Sequence, residues 1–441
     1  MRMMNLFKGH LLVMSLLTLL VSMPVNAYDF ECDGIYYDVK ENHELSVVSG
    51  DTEYKGDIVL PSEVPIYSTM YKVTAIRDAF YRCSELTSVT IPGSISYISA
   101  GSFSYCSNLT SLMVESSNQH YDSRDDCNAV IETSTNILVA GCRNTAIPNS
   151  VTSIGDGAFT GCSGLTSVTI PHSVTTIGFS AFYRCTGLTS VTIPSRIVRD
   201  YAFSGCTNLT SVTILESVSR IDTQVFKDCT SLTLVTISDG VTELGGQIFQ
   251  GCTSLTSISI PNSVTILGSS AFSDCTELAS VTISNKVVEL RETFSRCTSL
   301  TSIVIPNSVT HIAGAFFGCS GLTSVTIPSS VVFIGFNAFY GCSGLTTIVS
   351  EIEKPFEIDN RIFDEDTYLT AELIVPRGTK AKYQATGGWN NFAKITEFTT
   401  DLKSITTTGA PAPVYNLQGQ RVTDKPRKGI YIQNGNKVVI K

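Results

Sequence analysis

One arrangement of residues recurs along most of this chain and restricts its fold more than any other feature. A Phe is followed three residues later by Cys and three residues after that by Leu. This happens eleven times, at Cys83, Cys106, Cys162, Cys185, Cys206, Cys229, Cys252, Cys275, Cys297, Cys319 and Cys342. Most spacings are 23 residues, a few are 21 or 22, and the step from Cys106 to Cys162 is 56. A period of this length sustained over so many residues is the mark of a solenoid, in which each unit packs only on its neighbours.

The copy from Cys162 to Arg184 shows how the unit works. Leu165, Val168 and Ile170 have the L-x-x-L-x-L spacing of a leucine-rich repeat, and alternation along a short strand turns Val168 and Ile170 to one face. Pro171 ends that strand because it has no N–H for a ladder. A second extended run, Val174 to Ile177, stops at Gly178, and Ser180 to Phe182 suggests one helical or 3₁₀ turn. One coil buries too little apolar surface to offset its own ordering, so stacking must supply the difference and both ends need caps. The predicted fold is therefore a leucine-rich-repeat solenoid of stacked short parallel strands, with turns and short 3₁₀ or helical segments, capped at both ends.

The unit LTSVTIPxSVTxIGxxAFxxC resembles the BspA-like leucine-rich-repeat proteins over residues 28 to 397. That resemblance implies a surface or secreted bacterial protein, with an adhesin-like role toward host matrix proteins or other cells. The expected organisation is a signal peptide (1–27), an N-terminal cap (28–75), an array of about 12 coils (76–350, its enlarged coil at about 113–146), a C-terminal cap (351–397), a linker (398–412) and a β-rich tail (413–441).

The leader reading rests on Arg2 and Lys8, the apolar run Leu11 to Val21 and the small-residue ending Val25, Asn26, Ala27. The run is shorter than the roughly 20 residues a spanning helix needs, so cleavage near Ala27 and no transmembrane span in the mature chain are expected. Location is then secreted or on the outer cell surface. The tail carries Arg421, Lys425, Arg427, Lys428, Lys437 and Lys441 against Asp424 alone, with Asn434 and Gly435 as a hairpin signal. Its pattern resembles the end of type IX secretion sorting domains, which implies delivery to the surface. A net charge of −9 excludes a generic nucleic-acid binder.

Strands of neighbouring coils lie about 4.8 Å apart, within reach of a disulfide. Stacked Cβ vectors run parallel, however, and an odd set cannot pair completely. The cysteine row is read as buried thiols, with scattered disulfides or a metal as lesser alternatives. Cys127 and Cys142 stand outside the row and are candidates for one bridge. The strand positions Ser88 and Thr90, Ser167 and Thr169, Ser190 and Thr192, Ser211 and Thr213, Ser280 and Thr282, and Ser324 and Thr326 form a solvated hydroxyl row with few aromatics, with a broad, weak, multivalent contact surface for a protein or glycan as the alternative. The enlarged coil contains two short strands, Ala129–Ile131 and Ile137–Ala140, joined by a polar turn.

Individuality is expected elsewhere. His120, Asp122, Asp125 and Asp126 in the enlarged coil could form a cation or partner site, without the glycine and bidentate glutamate of an EF-hand. Residues just before the cysteines vary most: Tyr81, Arg82, Tyr183, Arg184, Lys227, Asp228, Phe317 and Tyr340. Candidate partner-binding residues are therefore His120, Asp122, Asp125, Asp126, Tyr183, Arg184 and Tyr340. No nucleophile setting, P-loop, dinucleotide or metalloprotease motif is present in the sequence, so no enzyme, metal or cofactor is expected. The function read from the sequence is an adhesion solenoid that takes a protein or glycan partner on host or neighbouring cells. A ligand-free structural spacer is the alternative, and a hydrolase using the enlarged coil a remote one.

Overall fold

The computed structural model describes residues 28–398 and the strand backbone of Val414–Tyr415, Arg421–Val422, Gly429–Gln433 and Asn436–Ile440. The expected signal peptide and most of the expected linker lie outside the described residues.

The array is a β-solenoid of about 14 turns with few helices. Each coil places its first strand over that of the coil before, in register: Ser190↔Ser211↔Leu234 and Val191↔Val212↔Val235 in the strands Ser190–Ile193, Ser211–Ile214 and Leu234–Ile237. The second strands, Thr176–Ile177, Ile197–Val198, Arg220–Ile221, Glu243–Leu244 and Ile266–Leu267, form a parallel sheet on another side of the coil. Identical residues at identical register put like side chains into rows. The longest row is aromatic. From Phe159 through Phe363, consecutive Phe rings stack with centroids 4.8 to 5.8 Å apart and planes within 16°. Each such contact adds on the order of 1 kcal/mol beyond area burial. Tyr368 and Phe392 end the row by meeting Phe363 edge-on; on the far side of the enlarged coil Phe80 and Phe103 form a separate stacked pair, on which Tyr54 leans. Beyond the last repeat, strands Glu372–Val375 and Lys394–Glu397 extend the parallel sheet by two more members, and Trp389 is fully buried with Nε1 donating to the Phe356 carbonyl at 3.0 Å.

All fourteen cysteines are free thiols. In the array nine of the eleven repeat thiols donate to a Phe carbonyl of the preceding coil: Cys185 Sγ to Phe159 at 3.1 Å, Cys229 to Phe203 at 3.3 Å, Cys252 to Phe226 at 3.2 Å and Cys342 to Phe316 at 3.0 Å among them. That carbonyl already accepts the N–H of its own coil's cysteine, as Phe226 does from Cys229. A thiol is thus small enough for the stack and still serves the second lone pair. Burial raises these thiols, Cys162, Cys206 and Cys275 to about 12, and Cys185, Cys229 and Cys252 well above their ordinary value.

The enlarged coil interrupts the rows. Its strands Ala129–Glu132 and Ile137–Gly141 pair antiparallel, and the second joins the array parallel to Ser153–Ile154. The hairpin wedges in beside Phe159, where Gly141 leaves room: a Cβ there would fall 2.1 Å from the ring. Buried residues accordingly fall into two clusters that meet at this hairpin. Cys127 belongs to one and Cys142 to the other, with Cys142 Sγ turned to the Asn128 carbonyl at 3.3 Å. The candidate bridge between them is not formed: both are free thiols, packed in different clusters on the two sides of the wedge. In the tail, the described strands form a four-stranded antiparallel sheet, with Gly429–Gln433 opposite Asn436–Ile440; the expected turn residues Asn434 and Gly435 lie outside the described residues.

Candidate recognition face

The helical turn expected at Ser180–Phe182 is replaced by an unusual backbone. Five residues before each of the eleven repeat cysteines, and again one residue before, φ is positive: Ser180 (52°) and Arg184 (55°) in one coil, Gln224 (59°) and Asp228 (57°) in another, Glu292 (50°) and Arg296 (58°) in a third. Every second N–H therefore leaves the coil. Ser180, Phe182 and Arg184 donate to the carbonyls of Asp200, Ala202 and Ser204, while Ala181, Tyr183 and Cys185 donate locally to the third residue before each. A corner of this kind locks one coil onto the next without a strand. At its C-terminal end the outgoing Gly341 N–H is taken by the Asp364 carboxylate at 2.7 Å.

Left-handed backbone favours glycine, and a residue with a Cβ there costs on the order of 1–2 kcal/mol. Before the cysteine, Gly161, Gly205, Gly251, Gly318 and Gly341 meet that preference, whereas Arg82, Tyr105, Arg184, Asp228, Asp274 and Arg296 do not. The two groups interlock. Tyr105 lies over Gly161, Arg184 over Gly205, Asp228 over Gly251 and Arg296 over Gly318; a Cβ on those glycines would come within 2.4, 3.0, 2.4 and 3.3 Å of the side chain above. The large side chains are thereby spread along the outer corner, where they stack on aromatics two residues before the cysteine. Arg82 lies 5.2 Å from the Tyr81 centroid and 5.7 Å from that of Tyr105, Arg184 5.5 Å from Tyr183, and Arg296 5.6 Å from Phe317. Phe317 in turn stacks with Tyr340. The corner thus carries rows of half-exposed rings and arginines, Tyr81, Tyr183, Phe317 and Tyr340 among them.

Of the sequence candidates, Tyr183, Arg184 and Tyr340 sit on this corner. The other four sit on the enlarged coil. Asp122 is committed to Arg124, with Nη2 at 2.6 Å and Nε at 2.7 Å, and accepts the Thr133 hydroxyl at 2.9 Å. Burial opposes its charge, but those hydrogen bonds outweigh it and hold the carboxyl below its ordinary value. His120, Asp125 and Asp126 are exposed, the two aspartates in left-handed backbone. Among the described residues no group of three or more His, Cys, Asp or Glu side chains could hold a metal ion, and no helix is long and apolar enough to cross a membrane. Sequence reasoning missed Tyr105, Arg296, Phe333 and Phe336. The alternation of large residues with glycine before successive cysteines was the signal that could have found the first two.

A stacked solenoid with an interlocked, side-chain-rich corner is the class these features define. The model of the BspA type leucine-rich repeat region, in six copies, matches residues 66–127, 140–253, 196–313 and 290–408. The chain belongs to the BspA-type leucine-rich-repeat family. Among solved structures, it is similar to the pneumococcal vaccine antigen PcpA, at 17% identity and a TM-score of 0.51, over 84% of this chain and 98% of that one. A leucine-rich cell surface protein of Faecalibacterium prausnitzii A2-165 shares 24% identity over 75% of this chain and 96% of its own, with a TM-score of 0.42. A leucine-rich repeat protein of Bacteroides ovatus shares 26% identity over 73% and 94%, with a TM-score of 0.39. No curated protein matches the chain.

Proposed function

We propose that this protein is a secreted or surface-displayed recognition solenoid that binds macromolecules of host or neighbouring cells through its left-handed corner. The observation that carries this reading is the placing of exposed Arg82, Arg184 and Arg296 at backbone positions that glycine fills elsewhere in the same array. Strain of this kind persists where it serves a contact, and arginine stacked on tyrosine is the composition of interface anchors. Tyr183, Arg184 and Tyr340 are the residues on which binding rests, with His120, Asp125 and Asp126 of the enlarged coil as a second contact region. Membership in a family that includes surface proteins, together with the leader, supports an exported setting. The basic tail, 413–441, is proposed to direct surface delivery, and removing it should release the protein from the cell surface.

Binding to immobilised matrix proteins and mucins, measured for the wild type and for Tyr183→Ala/Arg184→Ala, tests the reading. A saturable interaction weakened about tenfold or more, roughly 1.4 kcal/mol, is expected. Saturable binding that the double variant leaves intact would remove the corner from consideration, and no binding across the panel would favour the spacer.

A further inference from the structure

We infer that a groove on this corner, between the coils of Cys252 and Cys342, is a binding site for a neutral oligosaccharide. The inference rests on the reading of the corner as the recognition face and names a ligand class for one part of it.

The groove arises from missing side-chain volume. Two residues before the cysteines, Ser273 and Ser295 stand between Gln250 and Phe317; six residues before, Ala313 precedes Phe336. The small residues open a trough of about 730 Å³ whose far wall is aromatic, formed by Phe317, Phe333 and Phe336, the last two about half exposed. Gly335 keeps the floor low, since a Cβ there would reach 2.8 Å from the Phe333 ring. Such exposed rings offer flat faces to the C–H side of a pyranose.

The polar lining is rich in hydroxyls and amides, and its charges are spent on one another. Arg296 pairs with Asp274 at 3.4 Å, and Arg291 with Glu289 at 2.8 Å. Arg361, beside Phe336 at 4.2 Å from its centroid, is held by Asp359 at 3.1 Å. Glu292 accepts the Ser270 hydroxyl at 2.8 Å. An anionic glycan would therefore find no surplus cation among these residues and would meet the Glu292 carboxylate. The side-chain oxygen of Gln250 is buried without a hydrogen-bond partner, and Asn337 adds an amide at the aromatic wall. Aromatic faces beside amides, hydroxyls and a carboxylate suit a neutral sugar, whose hydroxyls both donate and accept. The coil step of about 4.8 Å is close to the length of one pyranose, so an extended glycan lying along the axis would meet a new coil with about each sugar residue.

The test is a glycan array of neutral gluco-, manno-, galacto- and N-acetylglucosamine oligosaccharides beside sulfated and sialylated counterparts, followed by calorimetry on the best neutral binder. Phe333→Ala/Phe336→Ala removes the wall. Ser295→Tyr fills the trough with a residue the repeat accepts at the same position in Tyr183 and Tyr340, so the fold should survive, as thermal unfolding would verify. Expected are binding of at least one neutral oligosaccharide, a loss of about tenfold or more in both groove variants, and no change in Thr169→Ala, an exposed hydroxyl on the strand face away from the groove. Absence of neutral binding, preference for the charged counterparts, or indifference to Ser295→Tyr would overturn the proposal. Loss of a protein partner in Tyr183→Ala/Arg184→Ala without any glycan binding would overturn the groove and leave the recognition face standing.

Discussion

The inside and the outside of the same turn obey different rules. Inside, the Phe row from Phe159 to Phe363 repeats with almost no variation, because each ring is the wall of its neighbour's site and any change is felt on both sides. Outside, two residues before each cysteine, the chain places Tyr183, Ser204, Lys227, Gln250, Ser273, Ser295, Phe317 and Tyr340 in succession. The backbone there is as regular as the core, since the coil-to-coil hydrogen bonds that repeat along it run between main-chain atoms. Variety is thus carried by a frame that does not depend on it. A solenoid can change what it contacts without changing how it stacks.

The largest test of that contrast is Phe249→Ala against Tyr183→Ala. Removing the buried ring should lower unfolding free energy by about 3–5 kcal/mol, while the outer change should stay within about 0.5 kcal/mol, both read from urea denaturation. Equal losses would break the division.

Alkaline titration probes the interior through its buried thiols. Burial raises Cys162, Cys206 and Cys275 from the ordinary 9.0 to about 12. In the unfolded chain those thiols ionise near 9 while the fold keeps them protonated, so alkali favours unfolding. Stability should be insensitive to these groups below about pH 9 and fall between about 9 and 12, more steeply than one proton per molecule would give. The midpoint of urea unfolding, followed from pH 7 to 11, checks this; a flat midpoint would mean that the thiols are open to solvent.

A finer test compares the two occupants of the left-handed corner. Gly251→Ala adds a Cβ at 2.4 Å from the Asp228 carboxylate in left-handed backbone and should cost about 1–3 kcal/mol. Arg184→Gly should gain a few tenths of a kcal/mol, relief of strain being partly offset by a freer unfolded chain, while weakening partner binding. If Arg184→Gly is destabilising, the arginine is holding the coil rather than serving a contact.

The repeat in the sequence sufficed for the fold, because L-x-x-L-x-L strands at a fixed period leave one way to bury their apolar faces. Less of the candidate site was legible. Tyr183, Arg184 and Tyr340 could be singled out as variable positions, but nothing local distinguishes them from Lys227 or Gln250. His120 and the nearby aspartates looked alike as a string of polar residues, whereas the folded hairpin commits Asp122 to Arg124 and leaves His120, Asp125 and Asp126 exposed.

What the amino-acid sequence determined alone, then, was the coil, its period and its buried rows, since these follow from side-chain alternation and volume. What only the tertiary structure decided was the left-handed corner, the pairing of each large residue with the next coil's glycine, the wedge that parts Cys127 from Cys142, and the groove beside Phe336. Each depends on residues some 23 positions apart being brought to adjacent coils. Only the stacked register does that.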